Sequence, residues 1–169
     1  VSKGSSIIAL LAGQFVEACS RYASSGRRFS YGTVKSAGAL AGGKLNITKT
    51  IQLRAKGPGH LLAFEKNVAN FNITINRVLL AALSEVERID RAIGLPTLLV
   101  AKSRSLAMLF GDCRDQETLY RERTFFAQEA SRLVECESDE FTRDMLSLAS
   151  AILSRESADL TGAGYRNAP

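Results

Sequence analysis

The sequence predicts an α+β fold, mostly α-helical, with a small antiparallel β-element between the first helix and a central helix. Three observations predict it. Residues 69–91 repeat apolar side chains at intervals of three and four, the rhythm of one helix face. Two shorter stretches ahead of them alternate polar and apolar residues as half-buried strands do. Helical periodicity then returns and holds almost to the end of the chain.

In chain order, Ser5 or Ser6 can cap a first helix over 7–24, with Ile7, Leu10, Leu11, Val16 and Cys19 facing inward and Ser24, Ser25 and Gly26 ending it. Residues 28–34 alternate as a strand. Residues 45–54 do so more regularly, with β-branched side chains throughout, and are expected to form a second strand. On it Asn46, Thr48, Thr50 and Gln52 share one face, opposite Leu45, Ile47, Ile51 and Leu53, with Lys49 on the apolar side. The turn Lys56-Gly57-Pro58-Gly59 leads to a third strand candidate over 61–65.

The central helix places Ile75, Val78, Leu79, Ala82, Leu83, Val86 and Ile89 on one face, and Asn76, Glu85, Glu87 and Arg88 toward the other. Thr74 is the expected N-cap; Gly94 and Pro96 supply the stop. A helix over 98–110 follows, with Leu99, Leu106, Leu109 and Phe110 as core candidates and Gly111 as its stop, then a turn over 112–115. A charged helix over 117–137 carries Leu119, Phe125, Phe126, Ala130, Leu133 and Val134. The last helix, 139–155, has Phe141, Met145, Leu148, Ala149 and Ile152 as its stripe and Ser138 as its expected N-cap. The expected organisation is one domain over 1–156, with a basic front at 1–64 and a helical part at 65–156, followed by a tail or linker at 157–169.

Composition narrows the function classes. A chain of 169 residues with 46% hydrophobic side chains can bury one core. No apolar run approaches the roughly 20 residues needed to span a bilayer, so no membrane role is expected. The run 7–12 follows Lys3 as a signal peptide would, but leads into Gln14, Phe15, Val16 and Glu17 and reads as an amphipathic helix. Val1 stands where a start Met would, which suggests a piece excised from a longer protein. Cys19, Cys113 and Cys136 are odd in number and widely spaced, against a disulfide framework and against a metal knuckle; buried or half-buried small hydrophobes in a reducing cytoplasm are the expectation. His60, the sole histidine, excludes a site of two or three imidazoles.

The charge is uneven. Up to residue 64 there are nine Lys and Arg against Glu17 alone; beyond it, 13 basic residues meet 16 acidic ones. A basic front suits a polyanion or an acidic partner protein. Arg27, Arg28, Lys44, Lys49, Arg54 and Lys56 are the candidates for contact with a nucleic-acid backbone. The segment Gly38-Ala39-Leu40-Ala41-Gly42-Gly43-Lys44 matches seven positions of a phosphate-binding loop, but Leu45 stands where a hydroxyl must hold magnesium, so nucleotide binding is not expected.

The order of these features carries a resemblance. Basic residues and Tyr31, then Gly43-Lys44-Leu45 within 41–51, then Asn76-Arg77 opening a long helix, resemble the segment preceding the nuclease core in McrC-like subunits of modified-cytosine (5-methylcytosine) restriction systems. Residues 132–135 and 144–149 look like that family's later helices. The resemblance implies a DNA-positioning and scaffold segment of an endonuclease subunit that works beside a GTP-hydrolysing McrB-like AAA+ partner. Gly43, Asn76 and Arg77 then carry the family pattern, in a structural role. The family's nuclease needs carboxylates for Mg²⁺ and a nearby lysine on one strand, and no stretch here supplies Glu-x-Lys or Asp-x-Lys in that setting. No catalytic residue, metal ligand, cofactor or small-molecule substrate is therefore assigned to this chain; Mg²⁺ is expected only in a core outside it, and the isolated chain is expected to cut no DNA. The alternative is a helical protein-interaction module whose basic face docks on an acidic partner.

Overall fold

The computed structural model describes residues 3–57, 59–113 and 123–154. Among these residues six helices and a three-stranded antiparallel sheet follow one another as α1 (Lys3–Gly26), β1 (Ser30–Gly38), β2 (Lys44–Leu45), α2 (Ile47–Ala55), β3 (Leu62–Asn70), α3 (Thr74–Ile93), α4 (Thr97–Leu109), a 3-10 turn (Gly111–Cys113), α5 (Arg123–Cys136) and α6 (Glu140–Ser154). The expected α+β class holds, with the sheet between the first and central helices. The backbone divides into two compact units: Val1–Arg28 with Asn72–Pro169, and Phe29–Phe71 inserted between them in sequence.

The helical unit is built on α3, which packs against α1, α4, α5 and α6. All seven apolar residues expected on its inner face are buried, Leu79 and Leu83 completely. Their spacing makes α3 a strong helix whose burial drives the core. Gly94 ends it with φ +69°, a backbone that few side chains adopt, while its N–H bonds to the Asp90 carbonyl. At the other end Thr74 is not the cap: Ile73 holds that position, without a side-chain hydrogen bond.

Two residues expected on the solvent face of α3 lie inside. Asn76 is fully buried and sits in a closed ring of hydrogen bonds. Tyr22 Oη donates to Asn76 Oδ1 at 3.0 Å, Asn76 Nδ2 donates to the Arg28 carbonyl at 2.9 Å, and the Arg28 N–H donates to Tyr22 Oη at 3.0 Å. Each polar atom removed from water gains a partner, the condition on which such burial is tolerated. Glu85 is also buried, and its Oε2 faces Arg88 Nη1 at 3.1 Å and Arg123 Nη1 at 3.5 Å.

Val16 and Cys19 face inward in α1 as expected, but the rest of its inner face differs. Ala12, Phe15, Val16, Cys19 and Tyr22 are buried at helical spacing, whereas Ile7 and Leu10 are exposed. In α4 Val100, Ser103 and Leu106 are buried and Phe110 closes the end, but Leu109 is half exposed. In α5 Phe126 and Ala130 face inward; Phe125 does not, and meets Phe126 edge-on at 5.4 Å. Asp139, not Ser138, caps α6, accepting from both the Thr142 amide and the Thr142 hydroxyl. Leu119, the start of the charged helix before residue 123, Arg155 and the expected tail lie outside the described residues. Cys19 and Cys113 are buried as expected, with burial pushing the Cys113 thiol up to about 12, but Cys136 is exposed.

In the inserted unit, β3 pairs with β1 on one side and with the short β2 on the other. The register runs from Ser30 opposite Asn70 to Gly38 opposite Leu62, with Lys44 opposite Glu65 and Leu45 opposite Phe64. The expected strand over 45–54 is corrected: only Lys44 and Leu45 are extended, and Ile47–Ala55 is helical. Asn46 explains the change, since its side chain accepts from the Lys49 amide at 3.0 Å and so nucleates a helix where β-branched alternation suggested a strand. Thr50, the buried residue of α2, ties it to the sheet: its hydroxyl donates to the Asn46 carbonyl and accepts from the Ala63 N–H at 2.9 Å.

Replacing Asn76 by Leu keeps the volume but strands the Tyr22 hydroxyl and the Arg28 carbonyl, and should destabilise the protein by about 1–3 kcal/mol. Arg77→Gln, at the exposed next position, should cost less than about 0.5 kcal/mol. Urea midpoints of the two variants check this; equal midpoints would show that the buried ring contributes nothing.

Candidate functional site

The inserted unit gathers the charge. Of the 22 basic and 17 acidic residues, six basic ones (Lys35, Lys44, Lys49, Arg54, Lys56, Lys66) and one acid (Glu65) lie within Phe29–Phe71, which leaves sixteen of each sign elsewhere. The whole formal charge of +5 therefore belongs to this unit. Among the described residues none of these six cations lies within ion-pairing distance of a carboxylate.

The helical form of α2 decides which of them meet. At 100° per residue Lys49, Gln52, Leu53 and Lys56 share one face, and Lys49 and Lys56 stand two turns apart. That face, with Lys35, Ser36 and Ala37 of β1 and Ala63 of β3, surrounds an open depression of about 380 Å³. Three lysines and no acidic residue line it. Arg54 lies on the other side of α2, toward Ile47 and Ile51, both more than half exposed. Lys44 sits on β2, and the register places Lys35, Glu65 and Lys44 in one row across the three strands. Lys35 was absent from the candidates drawn from the sequence. Its signal is the two-residue alternation of β1, but only the helical reading of 47–55 brings Lys49 and Lys56 to the same place.

Arg27 and Arg28 belong to the helical unit and are differently occupied. Arg27 makes a two-pronged contact with Asp112 at 2.9 and 3.0 Å, with its guanidinium 5.1 Å from the centre of the Phe110 ring. Arg28 holds both carboxylate oxygens of Glu137, between α5 and α6. Planar guanidinium against carboxylate is the geometry that makes such pairs specific. Arg77, exposed on α3, donates through Nε to Asn72 Oδ1 at 2.6 Å.

The glycines of the 38–44 segment have a packing role. Gly38 and Gly42 lie against the buried Phe64 ring, where an added Cβ would meet ring carbons at 3.6 and 3.2 Å. At Gly43 a Cβ would stand 2.2 Å from the Glu65 carbonyl oxygen, so only glycine lets the chain approach β3 this closely. His60 is exposed on the turn before β3. Among the described residues no group of three His, Cys, Asp or Glu side chains is placed to hold a metal ion, and no helix is long and apolar enough to cross a membrane. Neither the protein-family models nor the curated proteins include one that matches this chain.

The Arg27 guanidinium holds the Asp112 carboxyl below the usual carboxylate range, Arg28 does the same for Glu137, and the Thr142 hydroxyl and amide do so for Asp139. A carboxyl with a depressed folded pKa contributes stability that is present above its unfolded value, near about 4, and lost as pH falls through the folded one. Stability should thus be flat near neutrality and decline below about pH 4. The double variant Asp112→Asn, Glu137→Gln should start lower and decline less over the same range. Urea titrations at several pH values test this, and parallel declines would remove the two pairs as the cause.

Proposed function

We propose that the chain is a DNA-positioning and scaffold segment of an McrC-like restriction endonuclease subunit, in which the Phe29–Phe71 unit contacts the phosphate backbone. The observation that carries this reading is the concentration of the net positive charge in that one unit, on side chains that have no carboxylate partner among the described residues. Ammonium groups free of internal partners can exchange condensed counterions for phosphates, which is the main source of sequence-independent DNA affinity. The helical unit, with equal numbers of each sign and many internal ion pairs, serves as the scaffold. In this reading the backbone contacts come from cations of the inserted unit rather than from Arg27 and Arg28, which are engaged by Asp112 and Glu137. Such contacts position a protein on DNA without reading bases. Cleavage would belong to a Mg²⁺-dependent core outside this chain and would be driven by a GTP-hydrolysing AAA+ partner, with the assembly working in the cytoplasm.

Each neutralised phosphate adds about −0.9 to the slope of log K against log salt. Replacing Lys44, Lys49, Arg54 and Lys56 together by Gln should flatten that slope equally for duplexes of different sequence, while Glu135→Lys with Glu137→Lys should not flatten it. Fluorescence anisotropy with labelled duplexes across a salt series measures both, after circular dichroism has shown the variants folded. A slope unchanged by the quadruple substitution would overturn the assignment and favour an acidic protein as the partner.

A further inference from the structure

We infer that the depression between β1 and α2 is a discrete phosphate-binding subsite formed by Lys35, Lys49 and Lys56, and that the remaining cations of the inserted unit supply only a diffuse field. The inference rests on the reading of this unit as the DNA-contacting part of the chain and deepens it by naming the group that is held. Lys49 in α2 and Lys56 at its C-cap are two turns apart on one helical face, and Lys35 stands on the neighbouring strand, so three lysines from two elements line one concavity. Ser36 and Gln52, in the same wall, add a hydroxyl and an amide that can donate to oxygen. A concave wall bearing one sign of charge focuses its field more strongly than the same charges spread over a convex surface.

The chemistry of the lining selects the ligand. Three ammonium donors with no carboxylate among them favour a compact polyoxygen anion over a cation or a neutral group, and lysine acts on phosphate as a point charge without demanding the planar match of a guanidinium. Thr50 and Asn46 fix α2 against β3, so the lysine stems start from a positioned frame. Lys44, Arg54 and Lys66 carry equal charge but lie outside the depression: Lys44 on β2, Arg54 on the other side of α2, and Lys66 opposite Val34 in the sheet. The phosphate group can come from a nucleic-acid diester or from free phosphate.

Two charge-matched triple variants of the full chain separate a subsite from a field. Lys35→Gln, Lys49→Gln, Lys56→Gln and Lys44→Gln, Arg54→Gln, Lys66→Gln each remove three positive charges. With a labelled duplex, the first should flatten the salt slope by about 1.8 to 2.7, and the second by less than about 0.9, as expected for two to three phosphate contacts against fewer than one. Equal flattening would overturn the subsite while leaving DNA binding by the unit intact. Absence of salt-dependent duplex binding by the unaltered chain would instead overturn the functional reading. In that case the amide resonances of Lys35 and Gln52 are followed by NMR during titration with inorganic phosphate at constant ionic strength. Saturable shifts that the first triple variant abolishes would sustain the subsite for free phosphate, and their absence would overturn it too. A Lys→Arg triple at 35, 49 and 56 keeps the charge; its retention of the slope separates loss of charge from damage to the fold.

Discussion

The ring of hydrogen bonds joining Tyr22, Asn76 and the Arg28 backbone is the constraint on which the rest depends. It links the end of α1, the first turn of α3 and the last residue before the inserted unit. Because Asn76 both accepts and donates, its amide fixes a tyrosine on one side and a main-chain carbonyl on the other, a pairing that an aliphatic residue cannot reproduce. With the Arg28 backbone held there, its side chain extends to Glu137, while the preceding Arg27 extends to Asp112. Three stretches distant in sequence are thus tied to the residues flanking the end of α1.

The partition of charge gives the two units different physics. In the helical unit cations and anions are equal in number and many are paired, as in Glu85 with Arg88 and Arg123, or Lys102 with Glu17. Exposed pairs such as Lys102 with Glu17 contribute little to stability individually, but they cancel the field a few ångströms away. The inserted unit has one acid for six cations, so its field is not cancelled. Lysines that repel one another cost folding energy, which a small sheet holding one helix through Thr50 can tolerate only if the charges point into solvent, and all six residues are exposed.

How much was legible in the sequence depended on the strength of the period. The seven apolar positions expected on the inner face of α3 are all buried, because they recur at an uninterrupted helical period and a glycine follows them. The buried Asn76 and Glu85 were not legible, because polar residues on a helix are assigned to water unless their partners are known, and Tyr22, Arg28 and Arg123 are distant in sequence. The segment from 45 to 54 failed for another reason: strand-like alternation of β-branched residues competed with a single capping residue, Asn46, and the local hydrogen bond won. That error also hid the lysine cluster, since in a strand Lys49 and Lys56 fall on opposite faces, and on a helix they fall on the same one. The exposed Ile7 and Leu10 show the limit of counting apolar residues near the start of a helix, where the true inner face, from Ala12 to Tyr22, is set by what it packs against.

The strands that open and close the inserted unit are register partners at their outer ends, Ser30 opposite Asn70. Directly opposed residues of an antiparallel pair stand only about 4.5–5.5 Å apart, so the excursion returns to where it began. The two ends of the inserted unit therefore leave it side by side, whatever lies further along the ribbon. Lengthening, shortening or exchanging the material between Gly38 and Leu62 alters the cargo without moving the points of attachment. Such an arrangement makes the segment a replaceable cassette, free to diversify while the bundle that carries it stays the same.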